Sequence, residues 1–272
     1  MKRRTAVLAA TTATALVATI GLLSSANAAV SGAGGSSRPA AAALSTSVAP
    51  GGNFNLSVWE LQEPVGSPGS PTTISSSRLK GANGFQDQYF YTSSDGAMTF
   101  WAPEKGVTTP DSNFARSELR EMNSSGSPAD WSLSGTHRLN ATLRVVSVTD
   151  HVTVGQIHLG SGGSSTKPLL ELYYYANGSI VVGVENSPAG GQTLHTVGQV
   201  AVGTKWSYAI GVSGGHTLNL TVNGTTTHYT VPSSFNAYKQ YFKAGSYNQS
   251  SSSSTTRGAR VAFYALTVSH TS

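Results

Sequence analysis

The segment YFKAGSYNQ, residues 241–249, has the two-residue alternation of a β-strand with one polar face and one apolar face. In an extended chain, Phe242, Ala244 and Ser246 point toward a core, while Gly245 leaves the backbone of the opposite face open to a ligand. That opposite face would carry Tyr241, Lys243, Tyr247 and Gln249. A cation and two phenols in one row suit an anionic, ring-shaped partner better than they suit a hydrophobic core.

Two further segments alternate in the same way. In RSELR, residues 116–120, and in QIH, residues 156–158, polar side chains occupy every second position, and Leu119 and Ile157 point away from them. The polar rows would hold Arg116, Glu118, Arg120, Gln156 and His158. Three such strands can assemble one sheet with a hydrogen-bonding face and an apolar reverse, which predicts a binding surface on that sheet.

Short β runs separated by turns of Gly, Ser, Pro and Asn follow one another from residue 53 to the C-terminus. Hairpin turns are indicated by Asp95-Gly96, Asn177-Gly178 and Asn223-Gly224. Helical periodicity is confined to Ser234–Tyr238 and a short turn at Pro128–Trp131. The pattern predicts an all-β fold, a jelly-roll β-sandwich of two antiparallel sheets with a concave substrate-binding face.

The N-terminal part of the chain is predicted to direct export. Residues 1–28 have a basic start, an apolar run and a small-residue cleavage site at Ala26-Asn27-Ala28, as secretory signal peptides do. Residues 29–44 are rich in Gly, Ser and Ala and are predicted to form a flexible linker. Residues 45–272 are predicted to fold as a single domain. We therefore expect a secreted, extracellular protein, and we expect it to be a monomer.

The composition argues against several classes of function. The chain has no cysteine, so disulfides and thiolate metal sites are excluded, and its histidines lack metal-ligand spacing. We expect neither a metal nor a cofactor. The 17 basic and 12 acidic residues give a charge of +5, and the predicted leader holds three of the basic residues and no acid, which leaves about +2 without a dense basic run. We expect no nucleic-acid partner, and no later segment is apolar enough to predict a membrane partner.

The three polar rows combine groups that neutralise a carboxylate with groups that move protons. Glu118 is the only acid in these rows, so glycoside hydrolysis by paired carboxylates is disfavoured, although Glu171 or Glu185 on another strand would supply a second acid. The combination fits β-elimination on a uronic acid polymer. Donors aimed at the sugar carboxylate stabilise the anion that forms when C5 loses its proton, and an acid protonates the departing 4-oxygen.

The three motifs, in this order along the chain, resemble the signature motifs of the alginate lyases of polysaccharide lyase family seven. Residues 95–103, DGAMTFWAP, are also similar to that family, and the likeness extends from about residue 55 to the C-terminus. The resemblance implies a β-jelly roll whose concave sheet binds an anionic polysaccharide, alginate. It also implies endo-acting cleavage that leaves an unsaturated uronate at the new non-reducing end.

By position, the resemblance implies roles for individual residues. Arg116, Gln156 and His158 would contact the substrate carboxylate. Tyr247 would be the catalytic acid, and either Tyr247 or His158 would be the base, depending on whether the sugar is mannuronate or guluronate. By the same resemblance, Ile157 at the middle of the QIH motif indicates a preference for guluronate-containing substrates. The neighbouring subsites would be lined by Glu118, Arg120, Tyr241, Lys243, Asn248 and Gln249.

Two other interpretations of these residues remain, namely a lyase for another polyuronate such as glucuronan and a non-catalytic carbohydrate-binding jelly roll.

Residues 161–167, rich in Gly and Ser, directly follow the QIH strand and are predicted to form a mobile loop over the cleft. Glu171, Tyr173 and Tyr175 share a face that would either border the cleft or pack inside the protein. The histidines outside the motifs are expected at the surface or in turns, and the tryptophans in the core.

Overall fold

The computed structural model describes residues 43–272, which form a β-sandwich of two antiparallel sheets. The predicted signal peptide and residues 29–42 of the predicted linker lie outside the described residues. Leu44, at the end of that linker, is partly buried against the core and so belongs with the sandwich. Within residues 43–272, no helix has the length and apolarity needed to cross a membrane.

The larger sheet, called the front sheet here, has eight strands. In spatial order they are β10 (Thr193–Gln199), β9 (Ser179–Val184), β8 (Pro168–Tyr175), β7 (His151–Leu159), β14 (Gln240–Asn248), β5 (Arg116–Glu121), β1 (Trp59–Ser67) and β2 (Ser70–Ile74). Strands that are distant in sequence are therefore neighbours at its centre, as the crossover connections of a jelly roll require.

The seven-stranded back sheet packs against the front sheet. Its strands, in spatial order, are β13 (Thr225–Thr230), β12 (Thr217–Val222), β11 (Lys205–Ser213), β6 (Thr136–Ser147), β15 (Gly258–Thr271), β4 (Met98–Pro103) and β3 (Phe90–Thr92). The helical segments are short and comprise α1 (Pro50–Asn53), α2 (Ser76–Leu79) and one turn of 3-10 helix (Ser233–Phe235). The predicted all-β sandwich is confirmed.

The three polar rows lie on adjacent strands at the centre of the front sheet. β14 pairs with β5 on one side, which places Lys243 opposite Arg120. On its other side β14 pairs with β7, which places Lys243 opposite Gln156 and Tyr241 opposite His158. The predicted assembly of the three rows on one sheet is therefore confirmed.

The reverse faces of the same strands build the core. Leu119, Ile157 and Phe242 are inaccessible to solvent and join one hydrophobic cluster with the inward side chains of the back sheet. Their burial fixes the register of the polar rows, because a slip of one residue would exchange the two faces. Three of the four tryptophans are buried as predicted, and Trp131 is only partly buried. The buried ones are Trp59, Trp101 and Trp206.

Gly245 is required by strand packing, which corrects its interpretation as an opening for a ligand. The pairing of β14 with β7 shifts register between Ala244 and Tyr247, and Gly245 adopts a φ of 152° in this irregularity. A Cβ atom at this position would lie 2.7 Å from Glu118 Cα and 2.7 Å from the Ser117 carbonyl oxygen. The missing side chain therefore gives room to β5, not to a substrate.

Several boundaries differ from the sequence prediction. The sequence pattern does not predict β2 or β10, because both are edge strands and most side chains of β10 are exposed, so neither needs to alternate between core and solvent. The predicted helix at Ser234–Tyr238 is a single 3-10 turn that begins one residue earlier. Pro128 and Trp131 form isolated β-bridges instead of the predicted turn of helix.

Candidate active site

A cleft of about 470 Å³ crosses the polar face of the front sheet. Its lining includes the predicted site residues Arg116, Arg120, Gln156, His158, Tyr241, Lys243 and Tyr247. The lining extends from β1 across β5, β14 and β7 to β8. At a spacing of about 4.8 Å between strands, these four intervals span roughly 19 Å, which is long enough for several sugar rings.

Glu118 lies beneath the cleft floor. Its side chain is 0% exposed, and its carboxylate lies 2.6 Å from Lys243 Nζ and 3.3 Å from Arg116 Nη1. It also accepts a hydrogen bond of 2.5 Å from Gln156 Nε2. The structure thus corrects the prediction that Glu118 lines a subsite, because its donors cover it. Burial would raise the pKa of Glu118, but the charges of Lys243 and Arg116 hold it below its ordinary value.

Lys243 is a buried cation in this floor, 6% exposed. Burial, together with the like charge of Arg116, lowers the pKa of Lys243 to about 8, and the pairing with Glu118 opposes that change. Glu118 therefore keeps Lys243 charged near neutral pH and holds three donors in fixed positions. The floor is a preorganised donor array of the kind that stabilises developing negative charge.

His158 is arranged as an acceptor of protons. Its Nδ1 atom lies 2.9 Å from the Leu159 carbonyl oxygen, and since a carbonyl only accepts, Nδ1 carries the hydrogen. In the neutral ring Nε2 is then free to accept a proton. Burial and the neighbouring cation Lys243 lower the pKa of His158 to about 3, so the ring is neutral at ordinary pH. The ring of Tyr241 stacks on it with a centroid distance of 5.1 Å.

Two tyrosines of the cleft lie directly under guanidinium groups. The Arg116 guanidinium carbon lies 3.8 Å from the ring centroid of Tyr247, and that of Arg120 lies 4.0 Å from the centroid of Tyr241. The Tyr247 hydroxyl is 2.8 Å from the Ser112 hydroxyl, on a loop that the sequence motifs do not indicate. Tyr247 is thus oriented by a stacked cation and a hydrogen bond.

Asn248 and Gln249 do not line the cleft, contrary to the sequence prediction. Asn248 is 0% exposed, and its side chain donates to the Ser250 carbonyl and accepts from the Ser250 amide. Gln249 follows the end of β14 and donates to Thr153 Oγ1 at 3.1 Å. The alternation that places side chains on one face stops where the strand ends, so position 249 no longer belongs to the polar row.

A hydrogen-bonded network supports the back of the floor. Glu121 is 2% exposed and accepts from the Phe242 amide and from Trp131 Nε1, each at 2.9 Å. Its other oxygen is 2.5 Å from His270 Nε2, and His270 Nδ1 is 2.7 Å from His137 Nδ1. His137 is 7% exposed, so its predicted surface position was wrong. The network ties β14 to the back sheet at the residue between Tyr241 and Lys243.

Other cleft residues come from strands and loops outside the three motifs. Glu171 on β8 lies opposite Gln156 and lines the cleft, and buried Tyr173 donates to it at 2.6 Å. Of the two alternatives for the Glu171 face, bordering the cleft is therefore correct for Glu171, whereas Tyr173 packs beneath it. Lys167, at the end of the predicted loop 161–167, also lines the cleft, and the mobility of that loop stays a prediction. Glu185, named above as a possible second acid, and Gln192 complete this end, and only tertiary pairing brings them to the cleft.

The cleft therefore joins a cationic floor, a neutral imidazole with a free acceptor nitrogen, and a phenol beside a guanidinium. On one face of a jelly roll, these groups define a site for an anionic sugar polymer that is equipped for proton transfer. Residues 54–270 match the family model described as alginate lyase. The chain belongs to the alginate lyase family and is thus a polysaccharide lyase.

Individual relatives agree in sequence and in fold. An alginate lyase of Klebsiella pneumoniae is 29% identical over 282 residues, covering 82% of this chain and 91% of the relative. The crystal structure of the family 7 alginate lyase A1-II' in complex with substrate is 35% identical with a TM-score of 0.74, covering 82% of this chain and 97% of that one. The crystal structure of an alginate lyase of Pseudomonas aeruginosa is 36% identical with a TM-score of 0.74, covering 79% of this chain and 99% of that one.

Proposed function

We propose that this protein is a secreted enzyme that cleaves alginate within the chain by β-elimination, with a preference for guluronate-containing blocks. The observation that carries the proposal is the cluster on the cleft floor. Arg116 and Lys243 supply positive charge, His158 presents a free Nε2, and Tyr247 presents a hydroxyl. The length of the cleft, several sugar rings across, supports internal cleavage of a polymer.

The elimination step follows from these positions. Arg116 and Gln156 bind the uronate carboxylate and stabilise the anion that develops at C5. The C5 proton passes to Nε2 of His158, and its electron pair forms the C4–C5 double bond. The bond between C4 and its oxygen breaks, and the Tyr247 hydroxyl gives its proton to that leaving oxygen. The family resemblance also implies a carboxylate contact for His158, but an unprotonated Nε2 accepts protons and does not donate, so we assign His158 the base role.

The same assignment supports the guluronate preference. In guluronate the C5 proton and the 4-oxygen lie on opposite sides of the ring, so the base and the acid must be two different residues. In mannuronate they lie on the same side, where a single group such as Tyr247 can serve both roles. A neutral His158 with a free nitrogen is the additional base that elimination on guluronate needs.

The test is the ultraviolet absorbance of the conjugated product, measured with polyguluronate, polymannuronate and glucuronan separately. Tyr247→Phe and His158→Ala are expected to abolish the signal on polyguluronate, each by about 10³-fold or more. His228→Ala and Tyr229→Phe on the back sheet are the matched controls and should keep full activity. Flat traces on all three polymers with binding intact would indicate a non-catalytic binding module, and fastest turnover of glucuronan would assign another polyuronate.

Secretion and the monomeric state are further parts of the proposal. Secretion is supported by the signal-peptide features of residues 1–28. Expression of the full chain in an exporting bacterial host should yield extracellular protein whose N-terminus begins near residue 29. Size-exclusion chromatography with light scattering should give the monomer mass, and a retained leader or a dimer mass would contradict these two statements.

A further inference from the structure

We infer that Glu185, together with Glu171, makes the β8–β9 end of the cleft a subsite that receives the hydroxyl edge of a sugar ring and disfavours a carboxylate there. Glu185 would thus be a specificity-determining residue of the cleft. The inference rests on the proposed function and deepens it, because it states which edge of a uronate each end of the cleft accepts.

Glu171 is held in place by several donors. Tyr173 donates to Oε2 at 2.6 Å, Gln192 Nε2 donates to the same oxygen at 3.2 Å, and Thr153 donates to Oε1 at 3.4 Å. The Tyr173 hydroxyl also lies 2.9 Å from Gln192 Oε1. Gly183 leaves the space that the Gln192 side chain occupies. Hydrogen bonds therefore fix the position of the Glu171 carboxylate at this end of the cleft, unlike that of a mobile carboxylate on the protein surface.

In the described part of the chain, no such donors hold Glu185. It follows the end of β9, lines the cleft and is only 5% exposed. Its Oε2 atom is buried and has no hydrogen-bond partner among residues 43–272. A buried oxygen without a hydrogen-bond partner destabilises the protein. A ligand that donates a hydrogen bond to this oxygen therefore gains more binding free energy than it would at a solvated surface carboxylate. Sugar hydroxyls are such donors, whereas an ionised sugar carboxylate has no hydrogen to donate.

The two ends of the cleft differ in charge. At the centre, the negative charge of Glu118 is compensated by Lys243 and Arg116 within 3.3 Å. Within the described part of the chain, neither Glu171 nor Glu185 has a cation within ion-pairing distance. Burial raises the pKa of both carboxyls, and repulsion from a neighbouring carboxylate adds to that effect. The charges of Lys243 at Glu171 and of Lys167 at Glu185 oppose it without reversing it.

One polymer chain can bind favourably to the cationic centre and to the acidic β8–β9 end of the cleft at the same time. Each ring of a 1,4-linked polyuronate carries its carboxylate on one edge and its free hydroxyls on another, and successive rings are turned relative to each other. When one ring presents its carboxylate to Arg116 and Gln156, a neighbouring ring over β8 can present hydroxyls to Glu185. The acidic end then sets the register of the chain without contributing to the elimination itself.

The test uses polyguluronate in which a fraction of the carboxylates has been reduced to primary alcohols. We expect the wild-type enzyme to cut so that neutral rings are enriched at one fixed position from the new chain end, as read by mass spectrometry of the products. Glu185→Gln should lose this enrichment. It should also lower KM for the unreduced polymer by about fivefold at unchanged kcat, the effect of removing one partly screened repulsive charge.

Glu60→Gln is the matched control, because Glu60 lines the opposite end of the cleft on β1 and the charge change is the same. It should keep the enrichment pattern. Glu185→Ala separates charge from hydrogen bonding, since it should lower the affinity for neutral rings as well. Identical product distributions for wild type and Glu185→Gln would overturn the inference. If the wild-type protein forms no unsaturated product at all, the proposed function fails instead.

Discussion

Replacing Glu118 by glutamine removes a negative charge beneath the cleft floor and keeps the shape of the side chain. The carboxylate is 0% exposed and receives Lys243 Nζ at 2.6 Å, Arg116 Nη1 at 3.3 Å and Gln156 Nε2 at 2.5 Å. Removing one partner of a buried ion pair typically costs about 3–5 kcal/mol, because the remaining charges stay buried without compensation. For a domain of this size, that loss corresponds to a Tm lower by roughly 6–20 °C.

The same substitution changes the proton on Lys243. Burial and Arg116 already lower the pKa of Lys243 to about 8, and Glu118 opposes them. Without Glu118 the pKa of Lys243 falls further, so the amine is neutral near neutral pH and the floor loses a cation. We expect kcat to fall about 100-fold, the usual effect of losing one preorganised electrostatic contact. Part of the activity should return as the pH is lowered and Lys243 regains its proton.

Calorimetry gives the Tm, and the initial rise of ultraviolet absorbance on polyguluronate gives kcat between about pH 5 and 9. The double variant Glu118→Gln with Lys243→Met should recover part of the lost stability, since no lysine remains to be buried without its partner, but it should not recover activity. Glu60→Gln, in the same cleft, should change Tm by less than about 2 °C. A Tm within about 2 °C of wild type and a kcat within about twofold for Glu118→Gln would refute the reasoning.

Two further substitutions test the sandwich around the site. Burial and the neighbouring Asp87 raise the pKa of Glu63 to about 8, above the unfolded value near 4.5, so the folded state holds an extra proton and stability falls as pH rises from about 4.5 to 8. Urea titrations at both ends of this range give the change in the free energy of unfolding with pH. Glu63→Gln should reduce this change by up to about 1.4 kcal/mol per pH unit, and the same pH dependence in wild type and variant would contradict this. A Cβ at Gly155 would lie 2.5 Å from the Tyr208 hydroxyl oxygen, so Gly155→Ala should cost about 1–3 kcal/mol. Adding Tyr208→Phe removes that oxygen, and a double-mutant cycle should show favourable coupling; strict additivity would argue against the contact.

The central strands were predictable because local and tertiary requirements agree there. In residues 116–120, 156–158 and 241–247, polar and apolar side chains alternate, and burial of Leu119, Ile157 and Phe242 leaves one choice for the opposite face. The edge strands β2 and β10 have no such alternation, since their stability comes from pairing with β1 and β9. Their side chains therefore give little indication of a strand.

The predicted site residues also form two groups, namely those that line the cleft as the alternation predicts and those that do not. Side chains of the regular part of each strand, such as Arg116, His158 and Tyr247, line the cleft as the alternation predicts. Asn248, the last residue of β14, points to the buried reverse face as Phe242 does, and Gln249 follows the end of the strand. Glu118 follows the alternation but is covered by its own partners, and a two-residue period gives the face of a side chain without its depth.

The amino-acid order by itself determined the all-β class, the three polar rows and the residues able to bind a carboxylate and transfer a proton, because these depend on side-chain chemistry and on a period of two. Only the tertiary structure decided which charges are compensated. It places Glu118 within reach of Lys243 and Arg116, leaves Glu185 Oε2 without a hydrogen-bond partner among residues 43–272, and frees Nε2 of His158 because Nδ1 donates to the Leu159 carbonyl. Protonation and charge pairing depend on distance and burial, and strands distant in sequence acquire both only when the sheet forms.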